Sequence, residues 1–357
     1  MCVRSVGSLS CVLVASLALA ACGDNHGDPD AGTGIDAAVI DAQVVDGGVD
    51  ANPNMPPTIA DTGLCLDAGC QQIAPDVHGY APRWALWSDG AVKQRYIYLP
   101  PGATIDTSDM DHWKFPMGTK LWKVFTRDNI RVETRFYLKT GPADTDWYFV
   151  AYAWNEAQTE AVAAPSGQQN ANGTTHDIPQ RSDCRKCHDQ VPGRVLGFSA
   201  LQLDYDAPST ELDLKDLVSM NLLSAPPTAA TGPYFPLPAA TPTEIAALGY
   251  LHANCGHCHN PDSTVHQIVP QVLRLSTAPS ALATLEATPT YMTTVNVAPT
   301  QSSVSAPAIV NAGDPDHSAM IIRFESTNPA IHMPAIATEV LDTTADATLR
   351  DWITHIP

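Results

Sequence analysis

Two short stretches have the residue types and the spacing to hold an iron porphyrin covalently. They read Cys184-Arg185-Lys186-Cys187-His188 and Cys255-Gly256-His257-Cys258-His259. Two thiols three residues apart, on one turn of chain, reach the two vinyl groups of a porphyrin. The histidine that follows lies under the iron as its proximal ligand. The spacing therefore predicts two covalent c-type haems, one on Cys184 and Cys187 with His188 on its iron, one on Cys255 and Cys258 with His259. A thioredoxin-like dithiol or half of a zinc site also uses Cys-x-x-Cys. Neither asks for a histidine directly after the second cysteine, and no strand pattern precedes either motif as in a thioredoxin unit.

The chain has nine cysteines, so five lie outside these motifs. Cys2 and Cys11 fall in an N-terminal apolar segment, and Cys22 ends the run Leu19-Ala20-Ala21-Cys22. Cys65 and Cys70 share a Gly-containing loop. In an oxidising compartment they would close a small disulfide; otherwise they are two thiols in a leader.

A c-type haem often takes a methionine as its second axial ligand. Met333, in Ile331-His332-Met333-Pro334, precedes a C-terminal helix and is the expected distal ligand of the second haem. His332 is its neighbouring alternative. Met320 reads as packing on an amphipathic helix, and Met292 as a loop residue. For the first haem the sequence leaves Met220, His176, His112, His78 and an open iron all in play.

The elements that must position these groups follow from periodicity. Thr241-Pro242-Thr243-Glu244 is a capping box with proline at the first helical position. Ile245, Leu248 and Leu251 continue it as a helix running into Cys255. A last helix follows Thr343, with Leu349, Trp352 and Ile353 on one face. Gly249 allows a close approach, with Trp352 as a possible neighbour. Between Leu201 and Leu223 the pattern predicts short helices. Upstream, three runs alternate with period two, 94–99, 120–126 and 131–139, and a fourth, 147–154, is aromatic and apolar throughout. Pro100-Pro101-Gly102, Asp128-Asn129 and Thr140-Gly141-Pro142 separate them as turns. The expected class is α+β: a β-rich, sandwich-like N-terminal domain over 61–165, a first haem-binding region over 166–240, and a mainly α cytochrome c-type domain over 241–357. Trp84, Trp87 and Trp113 could stack on a sugar or aromatic ligand, or simply build the core.

Residues 1–22 read as an export signal. Arg4 is its only basic residue, and its apolar run is too short to span a bilayer. The run into Cys22 resembles a bacterial lipobox, which implies lipidation of Cys22; cleavage after Ala18-Leu19-Ala20 is the alternative. Residues 23–60 begin as an aspartate-rich leader without Lys or Arg up to Thr58, the composition of an extended tether. The formal net charge of −19 argues against a nucleic-acid partner and would steer a basic redox protein toward the surface.

From about residue 80 to the C-terminus the chain resembles a little-characterised group of bacterial dihaem c-type cytochromes. The matching stretches are Leu86-Trp-Ser-Asp-Gly, Phe115-Pro-Met-Gly-Thr, Val132-Glu-Thr-Arg, Tyr152-Ala-Trp-Asn-Glu-Ala-Gln-Thr-Glu-Ala, Ile178-Pro-Gln-Arg-Ser-Asp-Cys, Leu196-Gly-Phe-Ser-Ala-Leu-Gln-Leu, Tyr250-Leu-His-Ala-Asn-Cys, Gly313-Asp-Pro and Met333-Pro. The resemblance implies a β-rich region joined to a haem-bearing one. Some relatives are joined to sugar-dehydrogenase-like modules, which implies electron acceptance from a dehydrogenase; this chain carries no such module. The expectation is a lipid-anchored electron carrier in the bacterial cell envelope. It would work between a periplasmic dehydrogenase or cytochrome and another redox partner, with the anchor as its only membrane attachment. The rivals are a dihaem peroxidase-like oxidoreductase and a tethered ligand-binding module with accessory haems. Cys22→Ser should release the body from membranes or leave an uncleaved precursor; fractionation unchanged from wild type, with the signal cleaved, would show that Cys22 is not the anchor.

Overall fold

The computed structural model describes residues 55–301, 303–336 and 338–357. The segment read as an export signal, Cys22 and nearly all of the expected leader lie outside the described residues. All described residues fall within one compact unit. Its class is α+β: a six-stranded antiparallel sheet and seven α-helices among the described residues.

The strands run in sequence order: β1 (His78–Gly79), β2 (Val92–Tyr98), β3 (Lys120–Arg127), β4 (Ile130–Lys139), β5 (Trp147–Trp154) and β6 (Ala161–Ala163). Each neighbour is antiparallel, so short turns suffice. Asp128 and Asn129 close the β3–β4 hairpin with φ of 51° and 64°, a conformation these two residue types tolerate.

The expected sandwich is not what these strands form. They make one sheet, and non-sheet layers cover both faces. Alternation assigns the faces. Trp122, Val124, Phe136, Val150 and Tyr152 point to one side, onto Ile59, Leu64 and Val77 of the N-terminal segment. Thr58 bridges to Val162 and Ile59 is fully buried, so the tether expected to run to 60 is already fixed to the sheet here. Cys65 and Cys70 are disulfide-bonded in this layer, with Cα atoms 5.0 Å apart. On the other face Ile97, Leu121, Tyr137 and Phe149 meet Cys184, Phe198, Leu203 and Leu214. Sheet and first motif therefore share a core.

The helices are α1 (Arg181–His188), α2 (Ala200–Leu203), α3 (Leu214–Ser219), α4 (Pro242–Asn254), α5 (Pro289–Thr294), α6 (Ala319–Phe324) and α7 (Thr343–His355). The capping box of α4 forms in both directions: Thr241 accepts from the Glu244 N–H, and Glu244 accepts from the Thr241 N–H. At α7 the cap is Asp342, which accepts from the Ala345 N–H at 3.0 Å. Leu349, Trp352 and Ile353 are buried against Ala247 and Leu251 of α4. The tight approach at Gly249, however, is made by Trp84. A Cβ there would lie 2.0 Å from the Trp84 indole nitrogen, so only glycine fits. Trp84 also meets the His252 ring edge-on, with centroids 5.7 Å apart. Trp87 donates from its indole to the Val340 carbonyl at 2.8 Å, and Trp113 is buried against Phe198. The three tryptophans thus join elements distant in sequence. Met292 sits on α5 rather than in a loop, and is 60% exposed.

Candidate haem sites

The first motif occupies the last turn of α1. Cys184 and His188 are four residues apart, so they share the face that α1 presses on the sheet. The His188 ring lies between two aromatic rings, 4.9 Å from Tyr137 and 4.8 Å from Phe149. Its Nδ1 is 2.6 Å from the Arg194 carbonyl. A carbonyl only accepts, so Nδ1 carries the proton and Nε2 keeps its lone pair for a metal. Burial and the nearby Lys123 ammonium hold the ring neutral. The turn that presents this carbonyl depends on Gly193, whose φ is +69° and where a Cβ would come within 2.2 Å of the Trp113 carbonyl oxygen. Asp189 secures Arg194 through an ion pair.

The second motif begins where α4 ends. Cys255 caps the helix, and the His259 N–H donates to the Cys255 carbonyl at 2.9 Å, which turns the motif back on itself. A cavity of about 1290 Å³, measured to its open mouth, is lined by Cys255, Cys258, His259 and Met333. Leu251, Val265, Leu273, Ile309 and Phe324 make most of the lining apolar, as a macrocycle requires. Met320 lines it too, from α6, whereas His332 faces Thr338 at 3.2 Å and is not part of the lining. The Met333 N–H donates to the Arg323 carbonyl at 3.1 Å, which ties its loop to α6.

A second, more polar cavity is lined by Cys184, Cys187 and His188, with the sheet as one wall. No methionine lines it among the described residues. Met220 is exposed and shares another cleft with His78. His112 is held by carboxylates at both ring nitrogens, Asp109 at 2.8 Å and Asp262 at 3.0 Å. Of the four distal candidates named from sequence, His176 alone reaches this cavity, and its Nε2 is engaged by Glu133 at 2.8 Å. Two histidines not singled out by sequence also line it, His252 and His257. Burial lowers them to about 3 and about 4, so both are neutral. His252 Nδ1 accepts from the Leu275 N–H at 3.0 Å, which leaves its Nε2 a protonated donor rather than a ligand.

Cys187, Asn254, His257, Pro334, Ala335 and Ile336 line both cavities, so the two motifs stand on either side of one wall. Two buried amides fasten it. Asn260, directly after the second motif, donates to the carbonyls of Gln190, Gly256 and His257 at 3.1, 3.0 and 2.9 Å. Gln190, two residues after the first motif, accepts from the Thr264 N–H and hydroxyl at 3.0 and 2.9 Å and from the Ser263 hydroxyl at 3.2 Å. The only local sign of this in the sequence is a pair of amide side chains following two similar pentads.

The four motif thiols have no disulfide partner. Burial pushes Cys184 and Cys187 up to about 11 and Cys255 up to about 12. A redox dithiol needs the opposite shift; a thioether carries no charge and suits such burial. Among the described residues no three His, Cys, Asp or Glu side chains gather as a metal site of their own. His188 and His259 each line a cavity beside the two thiols of their own motif, the donor set that an iron porphyrin would need. No known family model, characterised protein or solved structure matches this chain.

If Gln190 and Asn260 hold the wall together, their losses are coupled. Asn260→Ala strands buried carbonyls and should cost about 1–3 kcal/mol. In a double-mutant cycle with Gln190→Ala, denaturant unfolding should give a coupling of about 0.5–3 kcal/mol. Additive losses would show that the amides act separately.

Proposed function

We propose that the chain is an exported dihaem c-type cytochrome that transfers single electrons between a periplasmic dehydrogenase or cytochrome and a second redox protein. The observation that carries this reading is the placement of two Cys-x-x-Cys-His motifs on opposite sides of one wall, each facing a cavity. When bound, each haem supplies a one-electron iron couple. The chain's own residues would set its properties. Cys184, Cys187, Cys255 and Cys258 would hold the two porphyrins as thioethers. The Arg194 carbonyl fixes the His188 tautomer and raises its basicity as a ligand. Met333 would complete the second iron from a loop anchored on Arg323. The apolar lining of the second cavity would limit water at its haem, which lowers the reorganisation that accompanies a change of charge there.

One observation favours a second reading, a peroxidase-like oxidoreductase. Among the described residues no methionine lines the first cavity, and its His252 presents an N–H donor. Steady turnover with hydrogen peroxide and an electron donor would favour it; a low-spin spectrum for both haems without such turnover favours the carrier.

Intact mass spectrometry of the exported protein should show two haem additions that survive acid extraction; one or none would refute the reading. Met333→Ala should abolish the sulfur-to-iron charge-transfer band and lower the potential of one haem while sparing the other. A band that persists would move the assignment to Met320, which lines the same cavity.

A further inference from the structure

The sheet wall of the first cavity carries a row of like charges. Arg95 on β2 pairs in register with Lys123 on β3, and Lys123 with Arg135 on β4. All three line the cavity, and so does Lys93, one step along β2. Like charges directly opposite across a sheet repel, and burial deepens the cost. Arg95 is 8% exposed and Lys123 9%. Burial lowers the Lys123 ammonium to about 7.

The fold does not supply matching anions. Glu133 is the one acidic residue of β2 to β5, and it is committed. It takes Arg135 through two nitrogens, at 3.0 and 2.7 Å, and His176 at 2.8 Å. Four other carboxylates border the cavity, Asp89, Asp177, Asp183 and Glu339, and none forms an ion pair with Arg95 or Lys123. Arg95 makes one long contact to the Lys93 carbonyl, at 3.4 Å. Lys123 lies over the face of Tyr137, 5.4 Å from its ring centroid, and makes no hydrogen bond or ion pair among the described residues. Two nearly buried cations therefore face an open cavity with no carboxylate in contact among the described residues.

We propose that Arg95 and Lys123, with Arg135 beside them, form a carboxylate-binding seat in the first cavity. The seat rests on the haem reading for its favoured occupant. A porphyrin tethered through Cys184 and Cys187 in this cavity brings two propionate carboxylates, and each propionate could be matched by one unpaired cation. A small free carboxylate has the same chemistry. In either case the cations stabilise an anion that the sheet does not provide, and they bias the nearby iron. Positive charge next to a haem favours the reduced state, so its loss lowers the potential.

The test is a redox titration of the whole exported protein as wild type, Arg95→Gln, Lys123→Gln and Lys123→Arg, with haem additions counted by mass. With propionates in the seat, both Gln variants keep two haems. One couple then falls at least tenfold in its reduction equilibrium, which is 59 mV for a one-electron couple. The other couple stays in place, Lys123→Arg restores the wild-type value, and sodium formate has no effect. With a free carboxylate in the seat, millimolar formate shifts the spectrum of one haem in the wild type and not in the Gln variants. Two haems with neither a potential shift nor a formate response would overturn the proposal. A wild type without haem would refute the haem reading instead. Calorimetric titration with formate then decides the seat: binding lost in the Gln variants supports it, and no binding in the wild type overturns it.

Discussion

Everything at the centre of this molecule depends on two amides crossing between two sequence-distant motifs. Gln190 leaves the first motif and receives Ser263 and Thr264; Asn260 leaves the second and donates to the Gln190 carbonyl. Buried amides are costly unless satisfied, and these make several bonds each. A fully satisfied buried network admits few alternative arrangements. It fixes the distance and facing of Cys187, Asn254 and His257, and through them the shape of both cavities.

The sheet supplies rigidity on the other side of the first cavity. Its two faces have different tasks. One is mainly apolar and holds the N-terminal layer, where the Cys65–Cys70 disulfide closes a short loop. The other changes character along its length, from the aromatic pair around His188 to the cations at Arg95 and Lys123. A strand alternates faces residue by residue, so one sheet can bury a core behind while presenting a polar wall in front. Trp84 then ties the segment before β2 to α4 through the gap that Gly249 leaves.

Local structure was legible in the sequence because local rules produce it. The runs 120–126 and 131–139 alternate with period two, 147–154 is aromatic and apolar, and β3, β4 and β5 lie on them. The α4 capping box needs only Thr241 and Glu244, and both directions form. What stayed hidden are contacts between residues far apart. Strand count suggested a sandwich, but nothing in the strands says that helices and loops will be the second layer. Gly249 announced a close approach, yet its neighbour is Trp84, well over a hundred residues upstream. Sequence alone gives His252 and His257 no role; only the fold brings them to the wall of a cavity. Arg95, Lys123 and Arg135 read as ordinary alternation until the register put them side by side.

The segment Pro334–Ile336 follows Met333 directly and borders both cavities. It behaves as a shared partition between two rooms. Whatever fills one room leans on the same three residues as whatever fills the other. A change of fit on one side is a change of boundary on the other, and linkage makes that influence equal in both directions. The two centres are then a single thermodynamic system with two addresses, and neither can be tuned by selection without retuning its neighbour.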